Sequence, residues 1–297
     1  MAQFTTHAGP SLASLNFQRE QAMNLLGSKT LGVTAATVGL ALLTSSAGAV
    51  DAGPGATSAK DLAARLSALQ DGASYVRLRL EVKQPSNTAK LVLQLQIKER
   101  RTKTASDVIY QVLWPKERKG EAVLVRKADG SPASGSLFIP PDKPRPLNAS
   151  QMNEALFGSD LSYQDVIESF FAWEKQTIVG TEVLNGVSCL ILESKPDKGE
   201  SSSYGGVRSW IDTGRLVPLR VEKYLSSGQL ARLIDTTRVA ADDKGRPIPA
   251  DLTVRRPGKD SVTDLDGSRI RHDVAYTDHE FTPEGLTEVL APPSAAD

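Results

Sequence analysis

Two stretches of strict two-residue alternation constrain this chain more than anything else in it. Val76, Leu78, Leu80 and Val82 are apolar, and Arg77, Arg79, Glu81 and Lys83 between them are charged. After Pro85-Ser86-Asn87, the residues Leu91, Leu93, Leu95 and Ile97 alternate with Gln94, Gln96 and Lys98. Successive side chains of a strand point to opposite faces, so such segments give a sheet with one dry and one wet face. A turn between two of them makes an antiparallel pair.

The same reading continues downstream. Strands are expected over 107–114, 121–126 and 136–139, then over 177–184, with Asn185-Gly186 as a hairpin turn, and 187–193. Others follow over 207–211, 217–224, 230–239, 252–255 and 270–276, with turns at Ser227-Gly228 and Asp266-Gly267. Strands do not alternate with helices, which argues against a parallel sheet. Three helices are expected. One is capped by Ser58 and carries Leu62, Leu66 and Leu69, with Asp61 in its first turn. A second spans 160–171, with Val166, Ile167, Phe170 and Phe171 on one face. A third spans 281–290, with Pro283 near its start. Pro140, Pro141, Pro144 and Pro146 exclude a regular central element between the two halves. The fold class is α+β: a large curved antiparallel sheet of about 10–12 strands, a half-barrel, with a few helices over its concave face.

The N-terminus bears on compartment. Residues 31–43 read LGVTAATVGLALL, preceded by Lys29 and followed by small residues at Ala47 and Ala49. A positive region, a short apolar run and an A-x-A site make a signal peptide, and the run is short for a bilayer span of about 20 residues. Residues 1–49 are read as that leader with an extra N-terminal segment, translation starting at Met1 or Met23. Residues 50–297 form a single domain, released into the periplasm.

Composition closes several routes. Lys plus Arg total 35 and Asp plus Glu total 35, and aromatics are 5% of the 297 residues. No basic block or stacking platform for nucleic acid is present. The single cysteine, Cys189, cannot form an intramolecular disulfide and reads as a buried, inert residue. No Walker loop, GxSxG elbow, HExxH helix or CxxC pair occurs. His272 and His279 are seven apart across a predicted strand with opposite-face alternation, so they point to different sides and make a poor metal pair. Asp160 and Asp165 flank Tyr163. An acid pair is conceivable there, but capping of the following helix by Asp160 is the simpler role. No cofactor, metal or catalytic group is called for, and an enzyme is not expected.

One passage carries a resemblance. Phe157-Gly158-Ser159-Asp160-Leu161-Ser162-Tyr163-Gln164-Asp165 follows Leu137-Phe138-Ile139-Pro140. It resembles the aromatic-Gly-Ser-Asp-x-Ser-Tyr-x-Asp segment of LolA-like outer-membrane lipoprotein-sorting proteins. Trp114-Pro115, Gly186-Val187-Ser188-Cys189, Trp210-Ile211-Asp212 and Phe281-Thr282-Pro283 extend it over most of the chain from about Tyr75. The proline-rich link, with only Lys143 and Arg145 as cations, departs from that family's basic, hydrophobic stretch.

The resemblance implies a half-barrel around an apolar cavity that takes acyl chains of lipids or lipoproteins, in a monomer with an inner-membrane lipid exporter as a further partner. The wall candidates are Leu78, Leu80, Leu93, Leu95 and Ile97. Val166, Ile167, Phe170 and Phe171 are the lid candidates, and Phe157, Gly158, Ser159, Asp160, Ser162 and Tyr163 form the motif beside them. A non-catalytic adaptor for an envelope complex or exporter is the alternative, with the same wall as a solid core.

Overall fold

The computed structural model describes residues 58–85 and 91–294. The leader read over 1–49 lies outside them. Among the described residues, no helix is long and apolar enough to cross a membrane.

Helix α1 spans Ala59–Ala68. Its N-cap is Ser58, whose Oγ accepts from the Asp61 N–H at 3.1 Å. Leu62 and Leu66 are buried as their spacing requires, whereas Leu69 lies at the C-cap and is exposed. Thirteen strands follow: β1 Gly72–Lys83, β2 Leu91–Arg101, β3 Ala105–Trp114, β4 Ala122–Ala128, β5 Ser134–Phe138, β6 Arg145–Leu147, β7 Lys175–Leu184, β8 Val187–Lys195, β9 Gly206–Asp212, β10 Val217–Tyr224, β11 Leu230–Ala241, β12 Pro247–Arg255 and β13 Val262–His272. They make one open antiparallel sheet in the order β6-β5-β4-β3-β2-β1-β13-β12-β11-β10-β9-β8-β7. Two meanders, β1–β6 and β7–β13, are thus zipped together by the pairing of β1 with β13. Among the described residues, the result is an open half-barrel with one α-helix.

Several expectations need correction. The strand expected over 270–276 begins earlier, at Val262, and Asp266-Gly267 lies inside it rather than in a turn. A register shift opposes Arg77/Arg79 there, and a Cβ on Gly267 would stand 2.9 Å from the Leu78 Cβ. The glycine marks a bulge with close backbone approach. The proline link contributes β6, a three-residue strand at the sheet edge, where a missing N–H costs no ladder bond. The helices expected over 160–171 and 281–290 do not form. The first region holds turns and a 3-10 turn at Phe170–Ala172. The second holds 3-10 turns at Asp278–Phe281 and Gly285–Thr287.

The register places Val76, Leu78, Leu80 and Val82 directly opposite Ile97, Leu95, Leu93 and Leu91. This inner face continues through Val108, Val112, Val123, Val125 and Val254 as one apolar cluster. The other face is not simply wet. Gln96 and Lys98 are buried on it beneath the C-terminal tail, whose Phe281 and Leu286 pack on Ile109, Ala122, Leu124 and Phe138. Burial of these two polar side chains is tolerated because each finds a partner. Gln96 Nε2 donates to Gln111 Oε1 at 2.6 Å, Gln111 Nε2 to the Leu286 and Glu288 carbonyls, and Lys98 Nζ to Glu280 Oε2 at 2.6 Å.

Leu93 is fully buried at the centre of the inner face. Leu93→Ala is expected to cost about 3–5 kcal/mol through lost transfer energy and the cavity left behind. Urea unfolding measures this, and a loss under 1 kcal/mol would show that the wall gives way around the gap.

Candidate functional site

The wall candidates come together as expected: Leu80, Leu93, Leu95 and Ile97 are buried, and Leu78 packs against their cluster. What covers them is residues 148–174, an irregular strap running from β6 to β7. Met152, Leu156, Phe157, Leu161, Tyr163 and Ile167 descend from it onto the wall. Phe170 and Phe171 do not join that cluster. Phe171 packs with Leu62, Ala63 and Leu66 of α1 and with Leu192 and Ile211, so the lid candidates divide between two halves of the inner face. Val166 and Ile167 remain on the β1–β2 side.

The motif at the strap's centre is a tight loop. Ala155 bridges Ser162, the Leu156 N–H donates to the Leu161 carbonyl at 2.8 Å, and the Ser159 N–H to the Leu156 carbonyl at 3.0 Å. Reversal within so few residues requires positive φ at Phe157 (52°) and Gly158 (88°), which explains the glycine. Arg118 holds the loop from outside: its Nη1 reaches the Phe157 carbonyl at 3.4 Å and its guanidinium lies 5.9 Å from the ring centroid.

Two carboxylates tie the strap to the sheet, and neither caps a helix. Asp160 accepts from Ser261 Oγ at 2.6 Å and Thr263 Oγ1 at 2.8 Å, while its own N–H donates to Thr263 Oγ1 at 2.9 Å. Asp165 has a fully buried side chain. It accepts from the N–H and Oγ of Ser162, from Tyr204 OH at 2.5 Å, from Lys223 Nζ at 3.0 Å and from Arg232 Nε at 3.0 Å. Lys223 and Arg232 are themselves buried on β10 and β11. Burial alone would raise the Asp165 pKa, but the two cations and the hydrogen bonds outweigh it and hold the carboxyl well below its ordinary range. Burial and Asp165 together push the Tyr204 hydroxyl far up, so it stays a donor. Ser162 closes on Asp165 as a Ser-x-x-Asp pair, and the segment's polar groups bond across to the sheet instead of along a helix. That is why the apolar spacing of 166–171 produces no helix: it is short, and strong tertiary partners compete for it.

The strap's flank is pinned as well. Arg101 Nη1 donates to Ser169 Oγ at 2.9 Å, and Lys127 Nζ donates to Glu168 Oε1 at 3.0 Å. Beyond them lies a cleft of about 310 Å³, lined by groups such as Arg101, Lys127, Asp129, Asp197 and Glu200. Its charged lining does not suit a hydrocarbon chain.

The remaining candidates take structural partners. His272 Nε2 stands 3.0 Å from Asp242 Oδ2 and His279 Nε2 3.1 Å from Glu288 Oε1, so the histidines do not share a site. The donor atoms of Asp242, Asp243 and His272 lie within 4.8 Å of one another. Asp242, however, already accepts from Arg246 Nε and from the N–H groups of Lys244 and Arg246. Cys189 is buried, and its thiol pKa is pushed up by burial and by Asp212. Sequence reasoning missed Lys223, Arg232 and Tyr204. Two cations on the same strand face as Val221 and Ile234, and directly opposite each other, were the available signal.

A family model described as an uncharacterized protein matches residues 105–288, more than half of the chain. No curated protein matches it. Among solved structures, the fold is similar to a DUF1329 family protein from Desulfovibrio piger, with TM-score 0.70 and 22% identity, over 77% of this chain and 97% of that one. It is also similar to a putative outer membrane lipoprotein-sorting protein domain from Vibrio parahaemolyticus, with TM-score 0.67 and 18% identity, over 76% and 97%. A LolA superfamily protein from Nitrosomonas europaea matches with TM-score 0.61 and 18% identity, over 76% and 98%. The chain therefore belongs to the family whose model spans residues 105–288, and its fold is that of the LolA-like outer-membrane lipoprotein-sorting proteins.

Proposed function

We propose that the chain is a periplasmic, non-enzymatic carrier that shelters acyl chains of lipids or lipoproteins on the inner face of the sheet during sorting toward the outer membrane. The observation that carries this reading is the cover. An extended apolar wall is closed by an irregular strap rather than by another sheet or a helix bundle, and a strap can move as a unit. Burying hydrocarbon yields about 0.8 kcal/mol per CH2, so a chain of about 16 carbons gains on the order of 10 kcal/mol before ordering costs. From that gain must come the energy to lift six apolar side chains and their polar ties off the wall. An inner-membrane lipid exporter is the donor in this scheme. The depressed Asp165 and the fully engaged Asp160 support the non-enzymatic part, since neither is a free acid or base.

The filled wall also favours a second reading, a rigid adaptor for an envelope complex. One experiment separates the two. The chain, purified gently from cells, is examined by native mass spectrometry and then offered a fluorescent fatty acid. A bound mass that extracts into organic solvent, or uptake at micromolar ligand, is expected for the carrier. A clean chain that takes up nothing sinks the carrier and leaves the adaptor.

A further inference from the structure

The loops at one end of the β1–β5 meander carry an exposed patch that the wall and strap do not explain. Trp114 ends β3 and is 50% exposed, and Ile139, just past β5, is 43% exposed. Val289 and Leu290 of the C-terminal tail, 39% and 38% exposed, belong to the same corner. Gly120 fixes the convergence: a Cβ there would meet Pro140 Cγ at 3.3 Å and Val289 Cγ2 at 3.9 Å. Single exposed apolar residues need no explanation, but among the described residues four of the eight large exposed ones lie on these three converging segments.

The charge on the two loops is lopsided in a chain whose net charge is zero. Lys116, Lys119, Lys143 and Arg145 are exposed on the same loops, and among the described residues none of them forms an ion pair. On those two loops Glu117 and Asp142 are the carboxylates that form no ion pair, because Glu121 is engaged by Arg118 at 2.6 Å; on the flanking segments Glu154 is exposed and Glu288 stands 3.1 Å from His279. A tryptophan and an isoleucine on protruding, proline-stiffened loops, ringed by unpaired lysines, match the chemistry of a bilayer interface. There indole rings sit at headgroup level and cations meet lipid phosphate.

We infer that this corner docks the chain onto an anionic lipid surface, with Trp114 and Ile139 entering the headgroup layer and the four cations above it. The docking goes beyond the carrier reading and does not need an acyl chain in the sheet.

The test mixes the intact chain with vesicles of equal parts phosphatidylglycerol and phosphatidylcholine, and with vesicles of phosphatidylcholine alone. Co-sedimentation with the anionic vesicles only, weakening as salt is added, is expected. Trp173 and Trp210 are buried, so a blue shift of tryptophan emission on binding reports on Trp114. The shift is expected to vanish in Trp114→Ala, and Lys116→Glu with Lys143→Glu is expected to weaken binding by about tenfold or more. All these side chains are at the surface, so the variants should fold. Equal binding to neutral vesicles, no binding at all, an unmoved emission, or full binding by the double charge variant would each overturn the inference. A chain that carries extractable lipid yet ignores vesicles sinks this inference and spares the carrier. A chain that docks but never loads does the reverse.

Discussion

Asp165→Asn is expected to destabilise the protein by about 3–5 kcal/mol, because it leaves two buried cations, Lys223 and Arg232, without their counter-charge. The amide can still accept from Tyr204 and Ser162, so the loss isolates the charge and not the shape. Urea unfolding should show a lower midpoint at unchanged slope. Asp160→Asn is the comparison. Asp160 faces the neutral hydroxyls of Ser261 and Thr263, so its loss should cost only about 1–2 kcal/mol. Two variants of equal cost would mean that the Asp165 cluster is not what holds the strap. The pH dependence follows with a definite sign. A carboxyl whose folded pKa lies below its unfolded value contributes stability above the unfolded value and loses it as pH falls through the folded one. The Asp165 contribution is therefore intact at neutral pH, begins to fall as pH drops through the ordinary carboxylate range and is gone only below the depressed folded value. In Asp165→Asn this acid limb should be missing.

Locking the strap should abolish acyl-chain uptake. Asp160 and Thr263 touch through both backbone and side chain, so Asp160→Cys with Thr263→Cys places two thiols within reach of each other. The native Cys189 is buried and should not interfere. If the wall is reached only when the strap lifts, binding scales with the open fraction. Oxidation should then reduce fluorescent fatty-acid uptake by at least about tenfold, and reduction should restore it. The reduced double variant controls for the lost Asp160 bonds. Uptake that survives oxidation would place the ligand elsewhere and remove the strap from the mechanism.

The strands were legible because their signal is local. The alternation at Val76–Val82 and Leu91–Ile97 depends only on the fixed two-residue period, and the pairing follows from the turn between them. Ser58 announced its helix for the same reason: a cap bonds three residues away. The motif around Gly158 stood out by resemblance alone; its reversal, with positive φ at Phe157 and Gly158, was not legible in the residues. Where the reading failed, partners distant in the chain decided. The spacing of Val166, Ile167, Phe170 and Phe171 is helical, yet Asp165 bonds to Lys223 and Arg232, 58 and 67 residues away, and the segment lies flat as a strap. The polar face of β2 read as wet, but Gln96 and Lys98 lie beneath a tail some 180 residues downstream. By itself, then, the sequence determined an antiparallel sheet with a greasy face and the first helix, both products of short-range geometry. Only the tertiary structure decided what covers that face and what holds the cover down. Buried charges must find counter-charges, and buried amides their partners, and the chain brings those together from any distance.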